Sequence, residues 1–382
     1  MKNLLFSRTM LFLVVFGTLF SCRQKPDDKT IVRLPKYKKS IIDSYQKLGV
    51  FHATNMVPGF SIAVSIDNQI VWADGIGYSN YELKTKASPS HKFRLGQVTE
   101  LITAITAAKL SEEGKLQIDK PVAEYLPDMK PKSENFTIRQ LGAHSAGIRE
   151  EESPEGLEKN NTLDKTIASF IDDDLIYKPG AYYVHSGLNY DLIAHLIEKA
   201  TNSKFSKVVK ETLTDTLQLD NTIYEMPMRI TENKSNTYDY DFIAQPIVAR
   251  QVDLRGKEAS VGYLSSVLDL VKLGNTLIYP GFLKQETIDL LTTPFKLNNG
   301  MSSQYSFGLI ISKDDKNHPF YGQRGSVTGG SATVLIYPED KMVIAIAGNI
   351  QGNSWEYPVF EVAQIFQKQL HPEEKEENKE EK

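Results

Sequence analysis

Two strand-pair patterns stand near opposite ends of this chain, and any fold it adopts must account for both. The first, "GFSIAVSIDNQIVWADGIGYSN" at 59–80, alternates Phe60, Ile62, Val64 and Ile66, turns at Asp67–Asn68 and continues with Ile70 and Trp72. Alternation with a period of two, broken by a short polar turn, predicts a hairpin. The second, "SATVLIYPEDKMVIAIAGN" at 331–349, repeats the pattern around Pro338–Glu339–Asp340. Helical spacing precedes the first pair in "KYKKSIIDSYQKLGV" and follows the second in "WEYPVFEVAQIFQKQL". The long middle is mostly helical patches and polar loops, among them "YDLIAHLIEKATN" and "SSVLDLVKLGNTLI". The order helix, strands, helical insertion, strands, helix predicts an α/β protein of the mixed α+β kind. One antiparallel sheet is completed by both ends of the chain and flanked by the terminal helices, with a helical lobe inserted.

The extreme N-terminus is set apart from that domain. Lys2 and Arg8 form a basic start, and "MLFLVVFGTLF" is an apolar core too short to span a membrane comfortably. It ends in "LFSC", which resembles a lipobox cut before Cys22, the sole cysteine of the chain. The sequence is therefore divided into a lipoprotein signal peptide (1–21), a polar tether (22–35), a domain (36–370) and a charged, aromatic-free tail (371–382) read as disordered. The expected location is the bacterial cell envelope, lipid-anchored on a periplasmic or surface face. The run after Cys22 is similar to a surface-export signal, although Pro26 interrupts it.

Loss of residues 1–21 removes Lys2 and Arg8 and no acid, taking the formal charge from −4 to −6. A mildly acidic chain without a basic cluster offers no footprint for nucleic acid. The seven histidines show no metal-ligand spacing, so neither a metal nor a cofactor is expected. "GSVTGGS" lacks the lysine of a phosphate loop and precedes a strand pattern, and is read as a hairpin turn.

The chemistry of the chain turns on "FRLGQVTELITAITAAKLSEEGK", 93–115, an Ala-rich helix ending at Gly114. Together with "VPGFSIAVSIDNQIVWADGIGYSN", "FTIRQLGAHSAGI", "KPGAYYVHSGLNYDLIAHLIEKATN", "ASVGYLSSVLDLVKLGNTLI", "YSFGLI" and "YGQRGSVTGGSATVLIYPEDKMVIAIAGN" it resembles, in order, the serine β-lactamase and penicillin-binding-protein group. The branch it is most similar to holds class C β-lactamases, DD-peptidases and related esterases. That resemblance implies acyl transfer. A Ser attacks the carbonyl, a Lys one turn later on the same helix face assists it, and a Tyr-Ser-Asn element relays the proton. Backbone N–H groups, one of them on the third-motif strand, hold the oxyanion. In the same resemblance the His-Ser-Ala-Gly loop, 144–147, is structural. Carried over by residue, the nucleophile position holds Gln97 and the lysine position Glu100. The relay element is His185, Ser186 and Gly187, and the third motif is Gln323, Arg324 and Gly325. Only Ser186 and Gly325 keep the family residue.

An amide forms no acyl-enzyme and a carboxylate does not replace an ammonium, so the family mechanism is not expected here. No displaced nucleophile emerges. Ser44–Lys47 is a Ser-x-x-Lys in the N-terminal helix, read as structural. Ser145 in "AHSAG" follows a helix start capped by Thr137 rather than a buried strand. Two readings remain. In the first, the cleft is non-catalytic and binds a peptidoglycan fragment, a peptide or a partner protein. In the second, a serine-independent hydrolase uses Glu100, His185 and Arg324 as base, acid and oxyanion clamp. In either, a buried Glu100 is expected to be protonated or to find a positive partner, for which Arg324 is the first candidate and His185 the next.

Overall fold

The computed structural model describes residues 28–151, 162–352 and 357–372. Cys22, the signal segment, the first part of the tether and most of the tail lie outside the described residues. No helix among the described residues is long and apolar enough to cross a membrane.

The strands of the main sheet are β1 (Val32–Arg33), β2 (Gly59–Ile66), β3 (Gln69–Asn80), β4 (Ile310–Lys313), β5 (Pro319–Val327), β6 (Gly330–Tyr337) and β7 (Met342–Gly348). They are ordered β1-β3-β2-β7-β6-β5-β4, every pair antiparallel, and a two-residue strand, Thr85–Lys86, pairs with β3 off this path. The two ends of the chain meet at the centre of the sheet, where β2 pairs with β7 through Ile62↔Ile346 and Val64↔Ile344. Both expected hairpins form. Asp67 and Asn68 turn the first with φ of +50° and +61°, the doubly positive conformation that matches the twist of a two-residue hairpin. "GSVTGGS" is the β5–β6 hairpin, paired from Val327↔Gly330 onward.

Helix α1 (Lys38–Thr54) and the C-terminal α6 (Val359–Leu370) cover one face of the sheet. Phe60, Ile62, Val64 and Ile66 bury their side chains there with Trp72, Leu48 and Phe366. Each large apolar side chain so buried contributes about 1.5–3 kcal/mol. The opposite residues of β2, Ser61, Ala63 and Ser65, are buried too. Their small size lets α5 (Val267–Asn275) approach, and Asn275 Nδ2 donates to Ser65 Oγ at 2.9 Å. The alternation thus records large against small side chains between two layers, not apolar against solvent.

The inserted lobe includes α2 (Val98–Glu112), α3 (Ile138–Gly142) and α4 (Gly187–Thr201). Thr137 caps α3 in a full capping box with Gln140. Helix α4 runs from Ser186 to a left-handed Asn202. In α2 nearly every side chain is buried, as befits a helix threaded between sheet and lobe.

Candidate functional site

The start of α2 and the start of α4 meet at a cleft of about 530 Å³ lined by Gln97, Glu150, Glu151, Tyr183, His185 and Ser186, among others, and strand β5 packs against the start of α2. Glycine sets how closely they meet. A Cβ at Gly325 would stand 2.2 Å from the Gln97 nitrogen, and Gly96 takes a left-handed φ of +54° just before it. Strand β5 therefore lies against the helix start only because both positions lack a side chain.

Gln97 sits at the N-cap of α2 without capping it. Its Oε1 reaches across the junction and accepts the Ser326 backbone N–H at 2.9 Å. That N–H belongs to the strand from which the resemblance draws an oxyanion donor, so the chain's own amide fills the position.

Glu100 lies in the first turn of α2, fully buried, where the helix N-terminus favours an acid. Its Oε2 accepts from Tyr305 Oη and Gln323 Nε2, both at 3.2 Å. Two imidazoles close around it: His185 Nε2 is 3.2 Å from Oε1, and His144 Nε2 is 3.4 Å from Oε2. Burial pushes the Glu100 carboxyl up, but His185 and then His144 outweigh it and hold it down at about 2. Burial lowers His144 against the pull of Glu100. Burial lowers His185 as well, but there Glu100 wins, with help from Glu151 and against Arg324, so its value ends above the usual imidazole range. The balance favours charge on Glu100 and His185 and disfavours it on His144.

The expected first partner, Arg324, is not among the cations paired with Glu100 in the described residues; His185 and His144 take that place. The reason is the period of a strand. Gln323 on β5 is buried and turned toward Glu100, so the adjacent Arg324 is exposed. The 144–147 loop also brings His144 to this centre. This residue holds a left-handed φ of +50° just after α3 and is wholly buried, with Nδ1 3.3 Å from the Ser186 N–H and 3.1 Å from Asn189 Nδ2. Spacing along the chain gave no hint of this grouping, because its members come from α2, the α3 loop and the segment before α4. Glu100, His144 and His185 each present a ligand atom within 4.8 Å of the others.

Ser186 sits at the N-cap position of α4 without capping it, its Oγ buried without a hydrogen bond. Gly187 leaves room for Glu151, whose Oε2 would stand 2.7 Å from a Cβ there. Glu151 pairs with the buried Lys257, which also meets Asp191 at 3.1 Å. Asp191 accepts from Ser260 Oγ at 2.9 Å. No motif or spacing in the sequence marks this buried cluster. Ser145 and Ser44 are buried, Ser145 Oγ donating to the Gln140 carbonyl at 3.4 Å and Ser44 Oγ without a hydrogen-bond partner, and Lys47 is exposed on α1, so neither hydroxyl makes the hydrogen bond to a base that a displaced nucleophile needs.

The pair gives a pH signature in chelator-treated protein. His185, raised on folding, contributes stability that is present below about pH 6.5 and lost as pH climbs through its folded value. His144, lowered, works oppositely and loses its contribution as pH falls below about 6.5. Stability should peak between the two. Glu100→Gln should bring the His185 titration, followed by its imidazole proton resonances, down to or below the ordinary range. An unchanged titration would show that Glu100 does not hold the proton.

The β-lactamase family model matches residues 42–360. The chain belongs to the β-lactamase family. Among known proteins it is similar to the human serine beta-lactamase-like protein LACTB, mitochondrial, with 25% identity over 74% of this chain and 69% of that one. It is also similar to Protein flp of Staphylococcus aureus, 25% identical over 77% of this chain and 60% of that one. Among solved structures, the octameric penicillin-binding protein homologue from Pyrococcus abyssi superposes with a TM-score of 0.76 at 26% identity, covering 86% of this chain and 77% of that one. FmtA from Staphylococcus aureus superposes at 0.73 with 20% identity, over 94% of this chain and 95% of that one, a likeness of fold.

Proposed function

We propose that this chain is a lipid-anchored, non-acylating member of its family whose cleft binds a ligand at the bacterial cell envelope. The observation that carries the reading is Gln97: an amide occupies the nucleophile position and its oxygen takes the Ser326 N–H. One side chain thereby replaces the attacking group and fills an oxyanion donor. The polar wall of Glu150, Glu151 and His185 beside Tyr183 suits a ligand rich in amide and amine donors, such as a peptidoglycan fragment or a peptide, with a partner protein presenting the same groups. The rebuilt hydrolase is less well supported. A buried carboxylate held at about 2 is a weak base at neutral pH. Incubation with a penicillin should leave the intact mass of the protein unchanged, and a penicilloyl adduct on the wild-type chain would overturn the proposal.

The anchor is tested separately. Each acyl methylene buried in a bilayer contributes about 0.8 kcal/mol, and several chains together hold a protein firmly. Cys22→Ala should abolish palmitate labelling and signal-peptide removal. Labelling at the wild-type level in that variant would rule out the lipobox.

A further inference from the structure

We propose that Glu100, His144 and His185 form a zinc site whose open coordination position faces the cleft. The site needs no statement about acyl transfer and stands apart from the non-acylating reading. Two buried polar atoms of this cluster have no hydrogen-bond partner, Glu100 Oε1 and His144 Nε2, on side chains of zero exposure. Orphaned buried polar atoms are rare and call for an explanation, an ion among them. The third group, His185, has 40% of its side chain exposed and brings its Nε2 within 3.2 Å of that same Oε1. Contacts of 3.2 and 3.4 Å are long for charge-assisted hydrogen bonds. The 3.2 Å between Oε1 and His185 Nε2 matches the edge of about 3.3 Å between neighbouring ligands of a tetrahedral zinc ion with bonds near 2.0–2.1 Å, and the ligand atoms of all three residues lie within 4.8 Å of one another.

The surroundings fit the same role. Two histidines and a glutamate leave the fourth position of a tetrahedral zinc open, and only the His185 side of the cluster is exposed. The second carboxylate oxygen is held by Tyr305 Oη and Gln323 Nε2, which fixes the direction of Oε1. His144 Nδ1 stands 3.1 Å from the Asn189 amide, whose Oδ1 is itself buried without a partner. Zinc would displace the proton shared between Glu100 and His185, so binding releases a proton. The ligand chemistry at the open position is a water or an anionic oxygen of whatever enters the cleft.

The test uses the full chain, stripped with EDTA and titrated with Zn²⁺ against a chromophoric chelator, with Co²⁺ absorption as a second readout. About one equivalent should bind, and Co²⁺ should give the intense visible bands of a four-coordinate ion. His185→Ala, whose partly exposed side chain is removed without opening the core, should weaken binding by more than the roughly 10–100-fold expected for an outer partner such as Asn189→Ala. The control is His195→Ala in the other potential ligand group, Asp164, His195 and Glu198, which should bind as wild type does. Absence of binding to the wild-type chain would overturn the proposal. So would binding that survives His185→Ala or is lost with His195→Ala.

Discussion

Gln97→Ser combined with Glu100→Lys should restore no acylation and should destabilise the fold by about 3–5 kcal/mol, the range for breaking a buried charge pair. The double change rewrites the two helix positions to the pair that the family chemistry uses, yet it enters a site rebuilt around an acid. The introduced lysine is not a neutral substitute: its ammonium would stand at the positive end of α2, against His185, whose proton Glu100 now holds. Tyr305 and Gln323, which donate to the carboxylate at 3.2 Å, would face a group that only donates. The shorter serine side chain would free the Ser326 N–H, but the relay still lacks its Tyr and Asn, because His185 and Gly187 stand there. Urea denaturation reads the stability loss and intact mass after penicillin treatment reads acylation. A stoichiometric adduct on this variant would show that the helix pair alone silences the chain. The single change Gln97→Ser, at a half-buried position, should leave stability nearly unaltered.

Much of this architecture was legible in the sequence because alternation and helical spacing are local signals. Asp67–Asn68 and the run around Pro338 announced their hairpins, and the order of elements placed both chain ends in one sheet. The burial of Ser61 and Ser65 was not legible, since a buried small polar residue and an exposed one look alike without the helix that covers them. The site divided in the same way. Gln97, Glu100 and His185 were found through ordered motifs, and the cleft brings them together. His144 and Lys257 were not, because each gains its meaning from partners far along the chain. Arg324 was expected beside Glu100 on the strength of its charge, but the two-residue period of β5 gave that direction to Gln323. A one-residue offset in a strand is invisible to charge matching and decisive in space.

Lys257→Met should cost about 3–5 kcal/mol of stability, since it removes the cation from a buried pair and leaves two acids behind. Only 2% of the Lys257 side chain is exposed, Asp191 is fully buried, and Glu151 completes the group. Burial already raises Asp191 against the pull of Lys257, so without the lysine its carboxyl should take up a proton in the folded state. A carboxyl raised on folding stabilises least at high pH: its contribution falls as pH rises above about 3.9, the unfolded value. The gap between variant and wild type should therefore narrow as pH is lowered toward about 4. Adding Asp191→Asn should recover part of the loss at neutral pH, giving a favourable coupling between the two positions. The consequence reaches the cleft, because Glu151 lines it beside Gly187 and α4 begins where Ser186 meets His144. Denaturant midpoints across pH measure all of this. A Lys257→Met protein within about 0.5 kcal/mol of wild type, the range of ordinary surface substitutions, would mean that the buried triad does not anchor the start of α4.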